Sequence, residues 1–355
     1  MSHSRTVYFS SRAAVLFFGL ILVSAAALFS QSSKVQINES ALKLFRPLPA
    51  VMESADNPVT YAKVKLGRML YYEQRLSANH EVSCNTCHPL DAYGSETEPV
   101  SAGFKNQKGS RNAPTVYNAA GHFVQFWDGR AATVEEQAKG PVLNPVEMAL
   151  TSDAAAVRVL SSIPEYVALF KEAFPKNQDP VSFDNMAFAI GAFERGLITP
   201  SRWDRFLSGD ESALSDDEKT GFNRFVAAGC ATCHNGAYVG GNSFQRLGIA
   251  KLWPNESDAG RAQVTNQDAD RLVFKVPSLR NISKTGPYFH DGSVPTLDRA
   301  IREMAVHQRG SQLSSAEVKS IITWLNCLTG QIPAAYIKPP ALPTSTATTP
   351  GPITN

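Results

Sequence analysis

The chain has no clustered run of lysine or arginine, and its formal net charge is only +2. A nucleic acid partner is not expected, because binding to phosphate backbones needs a basic patch. Cysteine is scarce, with five in 355 residues; in an exported chain five would usually suggest disulfides, yet four of them sit as C-x-x-C followed directly by histidine. There is no βαβ alternation of the kind that carries a thioredoxin-like dithiol. Histidine and methionine are also few, at seven and six, so the list of possible metal ligands is short. Long apolar runs are absent with one exception. Residues 13–29, "AAVLFFGLILVSAAALF", hold seventeen apolar or small residues without a charge, behind Arg5 and Arg12. This predicts a secretory signal over 1–30, with small residues for cleavage at 25–27 and Ser30, or a membrane anchor if it is retained. Either way the remainder is exported.

What is present is globular: 43% of residues are hydrophobic and 19% charged, in a chain long enough for two or three domains. Four of the five cysteines fall into two pentapeptides, "CNTCH" at 84–88 and "CATCH" at 230–234. A structural zinc site needs four ligands converging on one ion, and a redox dithiol has no use for the histidine. Covalent haem uses all three residues. Two thiols one helical turn apart, Cys84 with Cys87 and Cys230 with Cys233, add to the porphyrin vinyl groups, and His88 or His234 turns its imidazole to the iron. Two c-type haems are therefore expected. The fifth cysteine, Cys327, sits on the apolar face of a terminal helix and reads as core.

The flanks predict helices. Val64, Leu66, Met69, Leu70 and Tyr71 recur at near-helical spacing before the first motif. Before the second, Ser215 and Glu218 form a capping box, Phe222, Phe225 and Val226 line one face, and Gly229 ends the run. Two further helices follow, in "TLDRAIREMAVHQRG" and, behind the Ser314–Glu317 box, in "SSAEVKSIITWLNCLTG". The expected fold is all-α, with two cytochrome c-like haem domains, long loops and few or no strands. The boundaries expected are 31–200 for the first domain, 201–331 for the second, and 332–355 for a Pro/Thr-rich tail. An iron with two strong protein ligands transfers electrons, whereas one with an open face can take a small oxidant. Met304 is the only methionine beyond His234, with His290 and His307 as rivals; His122 and Met148 are the candidates near the first motif.

The stretches "CNTCHPLDAYG", "NAPTVYNAA", "QFWDGRAATVEEQAKGPVLNPVEM", "FVAAGCATCHNG" and "FKVPSLRNISKTGPYFHDGSV", in this order, resemble the bacterial dihaem cytochrome c peroxidases. The resemblance runs from about Leu66 to Gly330. It implies a periplasmic enzyme that reduces hydrogen peroxide to water, with electrons from a small cytochrome c or a cupredoxin, and commonly a homodimer. By matched position, His88 serves the peroxidatic haem, and His234 with Met304 the electron-accepting haem. Trp127 matches the tryptophan between the haems. Asn112, Thr285 and Pro287 match the surroundings of a calcium ion, the last two through carbonyl oxygens, a donor set that suits a hard cation. Glu147 and Gln137 match the polar residues over the open face; a carboxylate there can carry a proton from one peroxide oxygen to the other. The chain departs from many relatives at Phe104. Where "GFKNQKG" stands here, they carry a histidine that caps the first haem until the second is reduced. Phe104 has no lone pair for iron, which predicts a first haem open without reductive activation. The competing functions are a dihaem oxidase of a protein or organic substrate, whose second haem would carry a tyrosine, with Tyr288 near His290 as the residue to consider, and a plain dihaem electron carrier.

Overall fold

The computed structural model describes residues 1–9 and 35–353, and the apolar stretch 13–29 lies outside the described residues. Contacts divide the chain into Met1–Lys34 and Val35–Asn355. In the first unit, residues 1–9 are irregular and exposed. No described helix is long and apolar enough to cross a membrane.

Within Val35–Asn355 the main helices are α1 (Tyr61–Tyr71), α2 (Val134–Leu143), α3 (Asp153–Ser161), α4 (Pro164–Ala173), α5 (Phe183–Glu194), α6 (Asp216–Ala227), α7 (Leu297–Arg309) and α8 (Ser315–Asn326). The described strands, β1 (Phe244–Arg246) and β2 (Val273–Lys275), form one antiparallel pair. The fold is thus helix-rich with almost no sheet, as the patterning predicts. Helix starts are where the capping residues put them. Thr60 caps α1, and the Ser215–Glu218 and Ser314–Glu317 boxes open α6 and α8 with both reciprocal hydrogen bonds made.

Two apolar clusters dominate. The first gathers Leu66, Leu70 and Tyr71 of α1 with Leu160, Tyr166, Phe170, Ile190 and Phe193 from α3, α4 and α5. Its tightest contact is α1 on α5, where a Cβ at Gly67 would stand 1.8 Å from the carbonyl oxygen of Ala189; only glycine lets the two backbones approach so closely. The second gathers Trp203, Phe222, Phe225, Ile321 and Trp324, and includes Cys327, which is buried and free as expected. A smaller cluster around Leu247, Trp253, Phe274 and Val294 has Trp127 and Met304 packed against it.

The helices expected before the two motifs both form, but only the second leads straight into its motif: α6 ends at Ala227 and Gly229 turns the chain at φ 78° into a 3-10 turn, Cys230–Thr232. Before the first motif, α1 stops at Tyr71 and residues 72–83 intervene. The cause is a buried carboxylate. Glu73 accepts from Arg75 Nε at 2.7 Å and from the Tyr166 hydroxyl at 2.6 Å, and these bonds fold the segment back over α4 instead of continuing the helix.

Candidate functional site

Each pentapeptide is locally built to present its cysteines and histidine together. Cys84–Cys87 is a single helical turn opened by a Ser83–Thr86 box, and His88 follows as its cap. The His88 carbonyl accepts from the Tyr71 hydroxyl at 2.9 Å, and its Nδ1 lies 3.2 Å from the Gly94 carbonyl oxygen. That contact leaves Nε2 as the nitrogen available to a metal. His234 Nδ1 is buried without a hydrogen-bond partner, although the backbone of Val239 and Pro277 lies close to it. Burial pushes His88 below the usual imidazole range and His234 down to about 4, so both rings are neutral and able to donate a lone pair.

All four motif cysteines are free thiols. Burial raises Cys84, Cys87 and Cys230 above the usual thiol range, the last two to about 11. Burial thus favours the neutral thiol at these positions. Among the described residues, moreover, no group of three His, Cys, Asp or Glu side chains converges to hold a metal ion. The donor set does fit covalently held haem. Both cysteine pairs and both histidines line one cavity of about 950 Å³, a volume at the upper end of cofactor sites.

The other expected residues are distributed around that cavity. Met304, on α7, lines it, as does His290, whose Nε2 is buried and unpartnered. His307 is committed elsewhere, with Nδ1 2.9 Å from the Lys251 carbonyl oxygen and Nε2 3.4 Å from Glu303. The Tyr288 hydroxyl also has a partner, the Ile282 carbonyl at 3.0 Å. Trp127 lines the cavity with its indole N–H donated to the Asn112 carbonyl at 2.9 Å, and meets His290 edge to face at 6.5 Å. Asn112, Thr285 and Pro287 all border the cavity. The Asn112 amide N–H donates to Pro99 and Glu98 carbonyls, and neither the Thr285 nor the Pro287 carbonyl accepts a backbone hydrogen bond among the described residues.

Gln137, on α2, and Glu147 both line the cavity, and the Glu147 charge is felt at Cys84 and Cys87 of the first motif. Glu147 accepts from Asn144 Nδ2 at 2.9 Å. Burial raises it above the usual carboxylate range, against the opposing pull of the Arg130 charge and the Asn144 hydrogen bond. The loop that carries Phe104 is fastened to this residue. Phe104 N–H donates to the Glu147 carbonyl at 2.7 Å, and a Cβ at Gly103 would lie 2.2 Å from the Val146 oxygen. Gly103 lines the cavity, whereas the Phe104 ring lies outside its lining, beneath Lys105 Nζ at 5.2 Å.

His122 is interior, against Tyr238 and Gly241, and Met148 is buried in the first cluster. Among the buried ionisable residues of the cavity wall that escape a sequence reading are Glu194 and Lys275. Lys275 is a lone charge inside an apolar segment, "LVFKVP", and Glu194 with Arg195 closes the apolar run "MAFAIGAF"; those breaks in the pattern are the signal that could have found them.

Residues 61–212 match the family described as di-haem cytochrome c peroxidase. The chain is 43% identical over 341 residues to the cytochrome c551 peroxidase of Pseudomonas aeruginosa, covering 94% of this chain and 97% of that protein. It is 33% identical over 313 residues to the methylamine utilization protein MauG of Methylorubrum extorquens, covering 84% and 87% respectively. Among solved structures, a MauG-like protein associated with microbial copper homeostasis aligns with a TM-score of 0.73 at 29% identity, over 82% of this chain and 97% of that one.

Proposed function

The chain belongs to the di-haem cytochrome c peroxidase family and is an enzyme of that class, and from this premise we propose that it reduces hydrogen peroxide at the first motif with electrons received at the second. The observation that carries the reading is one cavity bordered by both motifs, by an amide and, within electrostatic reach of the first motif, by a raised carboxyl group. Bound haem, attached through Cys84 and Cys87 and through Cys230 and Cys233, supplies the redox-active iron on which peroxide reduction depends.

The protein's own part is proton handling, orientation and electron routing. Glu147 takes the proton from one peroxide oxygen and returns it to the other as the O–O bond breaks; Gln137 holds the oxidant by a hydrogen bond. His88 is the proximal ligand at the first site. His234 and Met304 close the second, which makes it the entry point for a small cytochrome c or cupredoxin. Trp127, wedged between the smaller cluster and the Asn112 carbonyl, lies on the electron route between the sites. Asn112, Thr285 and Pro287 offer oxygen donors for a calcium ion. In this reading residues 31–200 form the peroxidatic domain and 201–331 the electron-transfer domain. The enzyme works in the periplasm, as a homodimer.

Phe104 leaves the first site without a gating ligand. In support, its ring is outside the cavity lining, and its backbone is tied to Glu147. The test is stopped-flow mixing of the oxidised, resting holoenzyme with hydrogen peroxide, followed by reduced cytochrome c. Immediate cytochrome oxidation, without prior reduction, is expected. A low-spin, doubly histidine-ligated first haem in the resting spectrum, or turnover only after reductive activation, would overturn the open-site reading. A long-lived oxidised state that leaves the cytochrome reduced would instead indicate an oxidase of a protein or organic substrate.

A further inference from the structure

Lys275 closes β2 and is buried, with its backbone N–H donated to the Trp127 carbonyl at 2.7 Å. Its ammonium has two neighbours. Nζ donates to the Val124 carbonyl at 3.1 Å and stands 3.4 Å from His122 Nδ1. Neither neighbour is an anion. Among the described residues no carboxylate comes within ion-pair distance of Lys275; the nearest influence is Asp128, whose oxygens are taken by Arg111 and Arg130. A buried charge without a counter-charge is costly, and burial accordingly pulls this lysine down to about 8.

His122 adds a second donor. A lysine ammonium can only donate, so the facing Nδ1 accepts and the ring proton sits on Nε2. That Nε2–H is buried and has no partner. Lys275 and His122 both border the cavity, beside Val276 and Pro277, and the latter backbone lies against the His234 ring. A cation with a spare N–H and an orphaned imidazole N–H thus meet at the second haem site without an acceptor.

From this juxtaposition we infer that Lys275 and His122 form the seat for a carboxylate, a propionate of the haem carried on Cys230 and Cys233. The carboxylate supplies the missing counter-charge and accepts from both donors. Lys275 comes from β2 and His122 from the segment after the first motif, 153 residues apart in sequence, so the seat joins the two halves of the cavity next to Trp127. It also sets the electronics of the second haem: a cation beside the porphyrin edge favours the reduced state, which carries one positive charge fewer.

This inference rests on the second motif carrying haem, and the experiment separates the two claims. Holoenzyme, Lys275→Gln, Lys275→Arg and Lys275→Met are compared by haem content, spectroelectrochemical titration and resonance Raman in the propionate bending region. Lys275→Met keeps the side-chain length without the charge and Lys275→Arg keeps the charge, so the comparison stands even if the glutamine variant does not fold. The seat predicts that Gln and Met variants hold two haems, that only the second haem titrates at a lower potential, and that one propionate band shifts, while Arg restores both signals. Two haems with unmoved potentials and bands overturn the seat alone. Loss of haem from the second motif in the wild-type chain overturns the reading beneath it.

Discussion

Two carboxyl groups of the cavity wall are shifted in the same direction but serve different purposes. Glu147 is held above the usual carboxylate range by burial, with the Arg130 charge and the Asn144 hydrogen bond pulling the other way. In the proposed role of base for a peroxide proton it must be ionised, so activity is expected to fall as pH drops through its raised pKa. The acid limb of kcat/KM therefore lies above the ordinary carboxylate range. Glu147→Gln removes that limb and slows peroxide reduction by roughly 10²–10⁴-fold, measured under steady-state conditions with reduced cytochrome c. Glu194, at the end of α5, is pushed from the usual 4.5 up to about 8 by burial and by repulsion from Glu135. The nearby Arg195 charge pulls the other way but only in part, since its guanidinium is committed to Glu135 through two hydrogen bonds of 3.0 Å. The folded chain keeps this proton while the unfolded chain releases it. Stability contributed by Glu194 is thus full below about pH 4.5, is lost as pH rises toward 8, and is level beyond. Glu194→Gln flattens that decline, by an amount on the order of a few kcal/mol, read from denaturation midpoints at pH 5 and pH 8.

At the scale of elements, the loop over 101–109 is a clamp on the segment that bears Glu147. Three contacts fasten it: Phe104 N–H on the Glu147 carbonyl at 2.7 Å, Gln107 Nε2 on the Pro145 carbonyl at 3.2 Å, and the backbone of Gly103 against Val146 and Glu147. A methyl group at Gly103 would lie 2.6 Å from Glu147 Cα, so Gly103→Ala displaces the backbone that carries Glu147. A misplacement of about 1 Å can cost roughly 10²-fold in rate, and the variant is expected to lose kcat while retaining two haems and an unchanged potential at the second. Little of this clamp is written in the sequence, because it is made mostly of backbone groups meeting across some forty residues. What the sequence does reveal is whatever depends on side-chain type at fixed local spacing: the two motifs, the capping boxes at Ser215 and Ser314, and the apolar faces of α1, α6 and α8. The detour at 72–83 was not visible, since the Glu73–Tyr166 bond that causes it spans 93 residues. The Lys275–His122 contact was hidden for the same reason. Even the residues singled out around the first site, Glu147 and Gln137, became legible through resemblance to a family and not through any pattern of their own.

At the scale of the whole chain, the two ends exchange places. Residues near the start serve the second cluster: Phe45 sets its ring edge-on to Trp203 at 5.6 Å and Phe222 at 5.5 Å, and the Leu44 carbonyl accepts from Gly236 N–H. Residues near the end serve the first. Tyr336 stacks on Phe193 at 5.1 Å and donates its hydroxyl to the Phe193 carbonyl, while Ile337 joins the first cluster. The Pro/Thr-rich stretch beyond does not trail away. Arg75 reaches the Pro343 carbonyl at 2.8 Å, Thr346 donates to the Ser162 carbonyl at 2.9 Å, and Ile353 N–H donates to the Ala78 carbonyl at 2.7 Å. Its composition reads as a loose tail because prolines and threonines bury little, but carbonyls and hydroxyls are what this docking uses. Each end therefore braces the cluster built by the opposite half of the chain, and the ion pairs of Arg111 with Asp128 and Asp258 link the halves again beside Trp127. Truncation after Gln331 removes one brace. It strips Tyr336 and Ile337 from the first cluster, a loss of about 3–5 kcal/mol of apolar burial. The first-motif half is then expected to unfold several degrees below the second. Calorimetry of the truncated holoenzyme should show two separated transitions in place of one, with the second-haem potential unchanged. A single transition at the full-length temperature would mean that the strap bears no part of the stability.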